Sequence, residues 1–123
     1  MINEIIEPVN LGIGDENHIW LKKFKEEGIF QEMRDAYKFS VALAIAQNIK
    51  PKEILKKETV FGIATIDPSR ELYFCIDSLY FDINQARYHL LEQLAEAGMS
   101  LLVDKYKSGK LDIVKMIEEV NRD

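Results

Sequence analysis

Few residues have reactive chemistry to offer: two histidines, His18 and His89, one cysteine, Cys75, and the adjacent carboxylate pairs Glu26-Glu27 and Glu118-Glu119. Neither histidine has another four residues away, the spacing that sets two imidazoles on one helical face around a metal. Both are expected at a helix surface or boundary, and no metal ligand is assigned. Cys75 stands between Phe74 and Ile76 in a predicted helix, where a thiol packs as a small apolar group, so it is expected in the core. No GxSxG, HExxH or phosphate-loop pattern occurs. The carboxylate pairs read as solvated helix faces. No catalytic residue and no cofactor is expected, and the chain reads as non-enzymatic.

The lysines say more. Leu21 to Lys57 holds nine basic residues against five acidic ones, a local balance of +4, whereas Asp67 to Gly98 holds two against six. The 123 residues together carry −5, from 16 Lys+Arg and 21 Asp+Glu, which argues against a general nucleic-acid coat or a polybasic membrane anchor. The separation predicts a basic end, with Lys22, Lys23, Lys50, Lys52, Lys56 and Lys57 as candidates for contact with an acidic partner or with DNA phosphates. Contact with DNA would be weak and salt-dependent, because no base-reading element accompanies these lysines.

The elements that must position these groups follow from the apolar pattern. Over residues 1–14, Ile5, Val9, Leu11 and Ile13 share one parity while Pro8, Gly12 and Gly14 oppose a helix, so an extended arm is expected ahead of a helical domain, 15–123. The arm offers Asn3, Glu4, Glu7 and Asn10 but no Lys or Arg, which suits pairing with protein better than entry into a DNA groove. Asp15 or Asn17 is expected to cap a first helix carrying Trp20, Leu21 and Phe24, ended by Gly28. A second, central helix starts near Gln31 and runs through the alanine-rich stretch Phe39 to Ala46, with Asn48 and Pro51 at its end. Pro51 then opens a short basic helical turn through Lys57.

Thr59 to Ile66 is rich in β-branched residues, which admits a short strand paired with the arm. Asp67-Pro68 predicts a helix from Pro68 to about Tyr80, and Asp82 a cap for the clearest amphipathic stripe, Ile83, Ala86, Leu90, Leu94, Ala97 and Leu101. Gly98 inside that stripe either stops the helix or permits a close crossing. A final helix from about Leu111 to Val120 puts Ile113, Ile117 and Val120 on one face. The fold class is therefore mainly α, a compact single-domain bundle of five or six helices with room for a two-stranded patch. Leu90, Leu94, Phe24, Leu43 and Ile117 are the expected core, and Leu91, Ala95 and Leu102 form a stripe open to homodimer formation. One cysteine, no basic leader and no run of about 18 apolar residues predict a cytoplasmic protein that neither crosses a membrane nor leaves by a signal peptide.

The run Ile29-Phe30-x-x-Met33-Arg34-Asp35-x-Tyr37-x-Phe39-x-x-Ala42-x-Ala44 resembles the early motif of small proteins associated with Dnd (DNA phosphorothioation) systems. Leu94-Ala95-Glu96-Ala97-Gly98-Met99, with Leu101 and Leu102, resembles that family's second motif. The resemblance implies an accessory component of a bacterial phage-defence or DNA-modification locus and carries over no catalytic residue. Asp35 is the position most worth carrying, with helix capping as its expected role. The expected function is thus that of a non-catalytic accessory or adaptor protein working through protein contacts, the alternative being a weak DNA-binding or regulatory role for the basic 21–57 region.

Overall fold

The protein is described here by a computed structural model covering residues 5–120. In chain order its elements are β1 (Asn10–Gly14), α1 (Asp15–Glu26), α2 (Met33–Ala46), β2 (Lys57–Gly62), α3 (Ile63–Ile66), α4 (Glu71–Leu79), α5 (Arg87–Lys107) and α6 (Ile113–Val120). This is the mainly helical fold expected from the sequence, and the arm pairs with the first half of the β-branched segment Thr59 to Ile66; the second half, Ile63–Ile66, is helical instead, because Gly62 ends the strand as the N-cap of α3. β1 and β2 form an antiparallel ribbon with Gly14 opposite Lys57 and Asn10 opposite Gly62, and its register shifts between Leu11 and Gly12. Residues 1–4 of the expected arm lie outside the described residues.

Close approach of α2 and α5 organises the core. Ser40 on α2 and Gly98 on α5 are both small, and a Cβ at Gly98 would overlap the backbone carbonyl of Ser40. Gly98 therefore permits a crossing rather than ending the helix. Leu90, Leu91, Leu94, Ala95, Met99 and Leu102 of α5 then pack on Ala36, Tyr37, Val41, Leu43 and Ala44 of α2, with Leu21 and Phe24 of α1 and Leu11 and Ile13 of β1 completing the core. Burial of Leu91, Ala95 and Leu102 removes the stripe expected to be open for dimer formation: α5 is too nearly surrounded to leave it free. Phe24, Leu43, Leu90 and Leu94 are buried as expected, but Ile117 is 43% exposed because α6 turns Met116 inward instead. The face of Val120 lies outside what is described.

The helix ends differ from expectation in instructive ways. Gly14, not Asp15 or Asn17, holds the N-cap position of α1, since the ribbon runs directly into the helix. No helical turn forms between Pro51 and Lys57, because that segment is held extended across its neighbours: the Lys52 amide donates to the Gln93 carbonyl at 3.0 Å, and the Lys56 carbonyl accepts from the Asp15 amide at 2.9 Å. Asp67 does cap a helix, but α4 begins later than Pro68, at Glu71. A left-handed Arg70, with φ 63°, precedes that start, and the Asp67 carboxylate accepts the Leu72 and Tyr73 amides at 3.0 and 2.9 Å. For α5 the cap is Glu7 rather than Asp82: its carboxylate accepts the amides of Arg87 and Tyr88, each at 2.9 Å. Asp35 is the partner of Glu32 in a capping box at the start of α2, the role expected of it. Gly28 and Asn48, with φ of 74° and 53°, end α1 and α2 as expected.

Replacing Gly98 by alanine forces the two central helices apart. Gly98→Ala is expected to lower stability by about 1–3 kcal/mol, the usual cost of overpacking, read as an earlier urea midpoint. An unchanged midpoint would show that the crossing has slack the geometry denies.

Candidate functional site

His89, Glu92, Glu96 and Ser100 follow one another at steps of three and four along α5, so they share one face. That face lies under the ribbon. Alternate residues of an antiparallel strand aim their backbone groups toward and away from the partner strand. Gly12 and Gly14 aim theirs at α5, where the Gly12 amide donates to Glu92 Oε2 at 2.7 Å and the Gly14 amide to Glu96 Oε1 at 3.2 Å. The match is geometric: four helical residues rise about 6 Å and two strand residues about 6.7 Å, so carboxylates one turn apart meet amides two residues apart. A Cβ at Gly14 would meet the Glu96 carboxylate, so a side chain there would displace that carboxylate from the strand. From the other side the buried Tyr37 hydroxyl donates to the Gly12 carbonyl at 2.9 Å.

Burying these carboxylates is tolerable because they are supplied with donors. Glu92, 2% exposed, also receives Lys57 Nζ at 3.3 Å on Oε1, which lies 2.9 Å from His89 Nδ1. Glu96 Oε1 accepts from the Asn17 side-chain amide at 2.6 Å, and Lys52 Nζ donates to Ser100 Oγ at 3.1 Å. His18 Nδ1 stands 2.7 Å from Glu58 Oε1 on β2, so each histidine is a half-buried boundary group beside one carboxylate. Among the described residues no three His, Cys, Asp or Glu side chains close on a point where a metal ion could sit.

Of the six candidate lysines, Lys52, Lys56 and Lys57 gather along this strip, interleaved with Glu53, Glu92 and Glu96 rather than forming a basic face. Lys22 and Lys50 are exposed. Lys23 lies over the rings of Trp20 and Tyr106, at 4.9 and 5.3 Å from their centroids. Cys75 is exposed, contrary to expectation, because α4 turns Ile76 rather than its neighbour toward α5. Residue reading missed the pairing of Gly12-x-Gly14 with Glu92 and Glu96. Its one signal was two carboxylates a turn apart, Glu92 and Glu96, set among the apolar residues Leu91, Leu94, Ala95 and Ala97 of α5.

Comparison with protein-family models, with curated proteins and with solved structures finds no match to this chain. What the site does must therefore be argued from its own chemistry. Glu92 is fully engaged by an amide, a lysine and a histidine, and acts as a structural acceptor for β1. Tyr37 is held neutral: burial pushes its hydroxyl well above the ordinary tyrosine value, and the Glu92 and Glu96 charges push the same way. Tyr88, buried and donating to Asp67, is likewise pushed up to about 12.

A tyrosine raised in the folded state stabilises the fold fully below the unfolded value near pH 10 and loses that contribution as pH climbs past it. Tyr37→Phe is expected to cost about 1–3 kcal/mol at neutral pH, by leaving the Gly12 carbonyl without this donor, and to make the alkaline loss of stability shallower above pH 10. Urea melts from pH 8 to 11.5 check both. A variant losing stability with pH as steeply as the parent would contradict the neutral, hydrogen-bonded phenol.

Proposed function

We propose that this chain is a non-catalytic accessory or adaptor protein that works through protein contacts in the reducing cytoplasm of a bacterium, within a phage-defence or DNA-modification system. The observation that carries the contact half of this reading is α4 and the turn after it. Nine residues of α4 bury one side chain fully, Ile76, while Phe74, Leu79 and the following Phe81 are 58%, 54% and 78% exposed. Large apolar groups left in water at one helix and its exit suit a partner's surface. Further support comes from the polar strip, where Glu92 holds β1 instead of facing a substrate. The defence-system half rests on the two sequence runs that resemble Dnd-associated proteins. DNA binding receives less support, since Lys57 and Lys52 are engaged by Glu92 and Ser100 and Lys23 by aromatic rings.

Phe74→Ser combined with Phe81→Ser should leave stability within about 0.5 kcal/mol of the parent, both side chains being exposed. Affinity purification from the native host with neighbouring genes intact is expected to recover a stoichiometric protein with the parent and at least tenfold less with the double variant. Equal recovery would remove α4 as the contact. Recovery of the chain alone, with no change in phage sensitivity on deletion, would remove the adaptor reading.

A further inference from the structure

A cleft of about 300 Å³ opens beside the first turn of α1, with Asp15, Asn17, Lys52, Glu53, Glu96 and Ser100 in its walls. Glu96 is only 7% exposed, and its two oxygens differ. Oε1 accepts from the Gly14 amide and the Asn17 side chain. Oε2 accepts from no group among the described residues. Every fully buried side-chain polar atom described does have a partner, so Oε2 is not sealed from solvent, and Glu96 forms part of the cleft wall. The missing Cβ of Gly14 gives this oxygen its room. The outcome is a carboxylate enclosed by protein with one oxygen left unfilled in the cleft.

The surroundings select what could fill it. Asp15, Glu16, Glu53 and Glu96 outnumber Lys52 and Lys56 in the lining, and the Lys52 ammonium already donates to Ser100. A cation is therefore favoured over an anion. The acidic groups do not converge as metal ligands do, so the charge must arrive on something broader than an ion. A guanidinium spreads five donors over a plane on an alkyl stem. Glu96 Oε1 is already taken by Gly14 and Asn17, and Ser100 Oγ by Asn17 and Lys52, so Oε2 is the acceptor of this group left for an incoming donor.

We propose that this cleft receives a basic side chain of a partner protein, best matched by an arginine whose guanidinium pairs with Glu96 Oε2. The inference rests on the protein-contact reading and supplies a chemistry for the partner. It is tested on cleft residues with a short peptide, so its failure is distinct from any result at Phe74 and Phe81.

Titrate the ¹⁵N-labelled protein with a decapeptide whose one charged group is a central arginine, with the same peptide carrying citrulline, and with free L-arginine. Saturable shifts of the Gly14, Asn17 and Ser100 amides are expected with the arginine peptide, at least tenfold weaker ones with citrulline, and weaker ones with free arginine. Glu96→Gln keeps an acceptor for Gly14 and is expected to weaken arginine-peptide binding tenfold or more. Should that variant fold poorly, Glu53→Gln, an exposed change on the rim, is expected to weaken it about threefold. Binding of free arginine as tight as the peptide would overturn the partner side chain in favour of a small amine. Absence of saturable shifts, or equal shifts with citrulline, would overturn the site.

Discussion

Two carboxylates on α5 hold two backbone amides of β1, and the placement of the ribbon depends on that contact. A strand with a free edge presents donors that invite another chain. Here the edge is closed by Glu92 and Glu96, with Tyr37 answering the Gly12 carbonyl from α2. Each member constrains the next. A side chain at Gly14 would displace the Glu96 carboxylate and one at Gly12 would meet β2 at the Glu58 carbonyl; glycine brings the backbone close, and closeness buries the charges. Buried charge then requires further donors, which Lys57 from β2 and Asn17 from α1 provide. One pairing thus ties β1, β2, α1 and α5 together at a single seam.

The second constraint is the crossing of α2 and α5 at Ser40 and Gly98. It brings Tyr37 within reach of β1 and leaves α5 apolar on its flanks from Leu90 to Met99. A charge on such a helix survives only at a position facing a donor row, which is the position of the ribbon. The short peripheral elements follow from this: α4 and α6 bury Ile76 and Met116, rest Leu72, Tyr73 and Ile113 partly on the core, and leave Phe74, Leu79, Val114 and Ile117 exposed. Each helix thus lends the core one fully buried side chain and keeps an exposed apolar face.

Much of the architecture was legible because it rests on local rules. Periodicity placed α1, α2, α5 and α6, Gly28 and Asn48 marked helix ends through their left-handed backbone, and β-branching offered the arm a partner in Thr59 to Ile66, whose first half is indeed strand. The failures share a cause, namely contacts between residues far apart in sequence. Glu7 caps α5 across some eighty residues, displacing Asp82. Docking on α5 and α1 straightens Pro51 to Lys57. Glu92 and Glu96 counted as members of an acidic stretch, and Glu96 also as part of a motif, since nothing in a linear count reveals that Gly12 and Gly14 would arrive opposite them. Cys75 was misplaced by a single step around α4, the smallest error a helix allows.

Native-state hydrogen exchange at Gly12 and Gly14 tests the seam most directly. These amides point away from β2, so without the glutamates they belong to an open strand edge and should exchange nearly as fast as unstructured chain. With the carboxylates as acceptors, their protection should match that of the buried amides of α5, Leu94 and Met99 among them. Protection at Gly12 and Gly14 no greater than at Ile117 and Glu118 of α6, both exposed, would contradict the carboxylate-held ribbon.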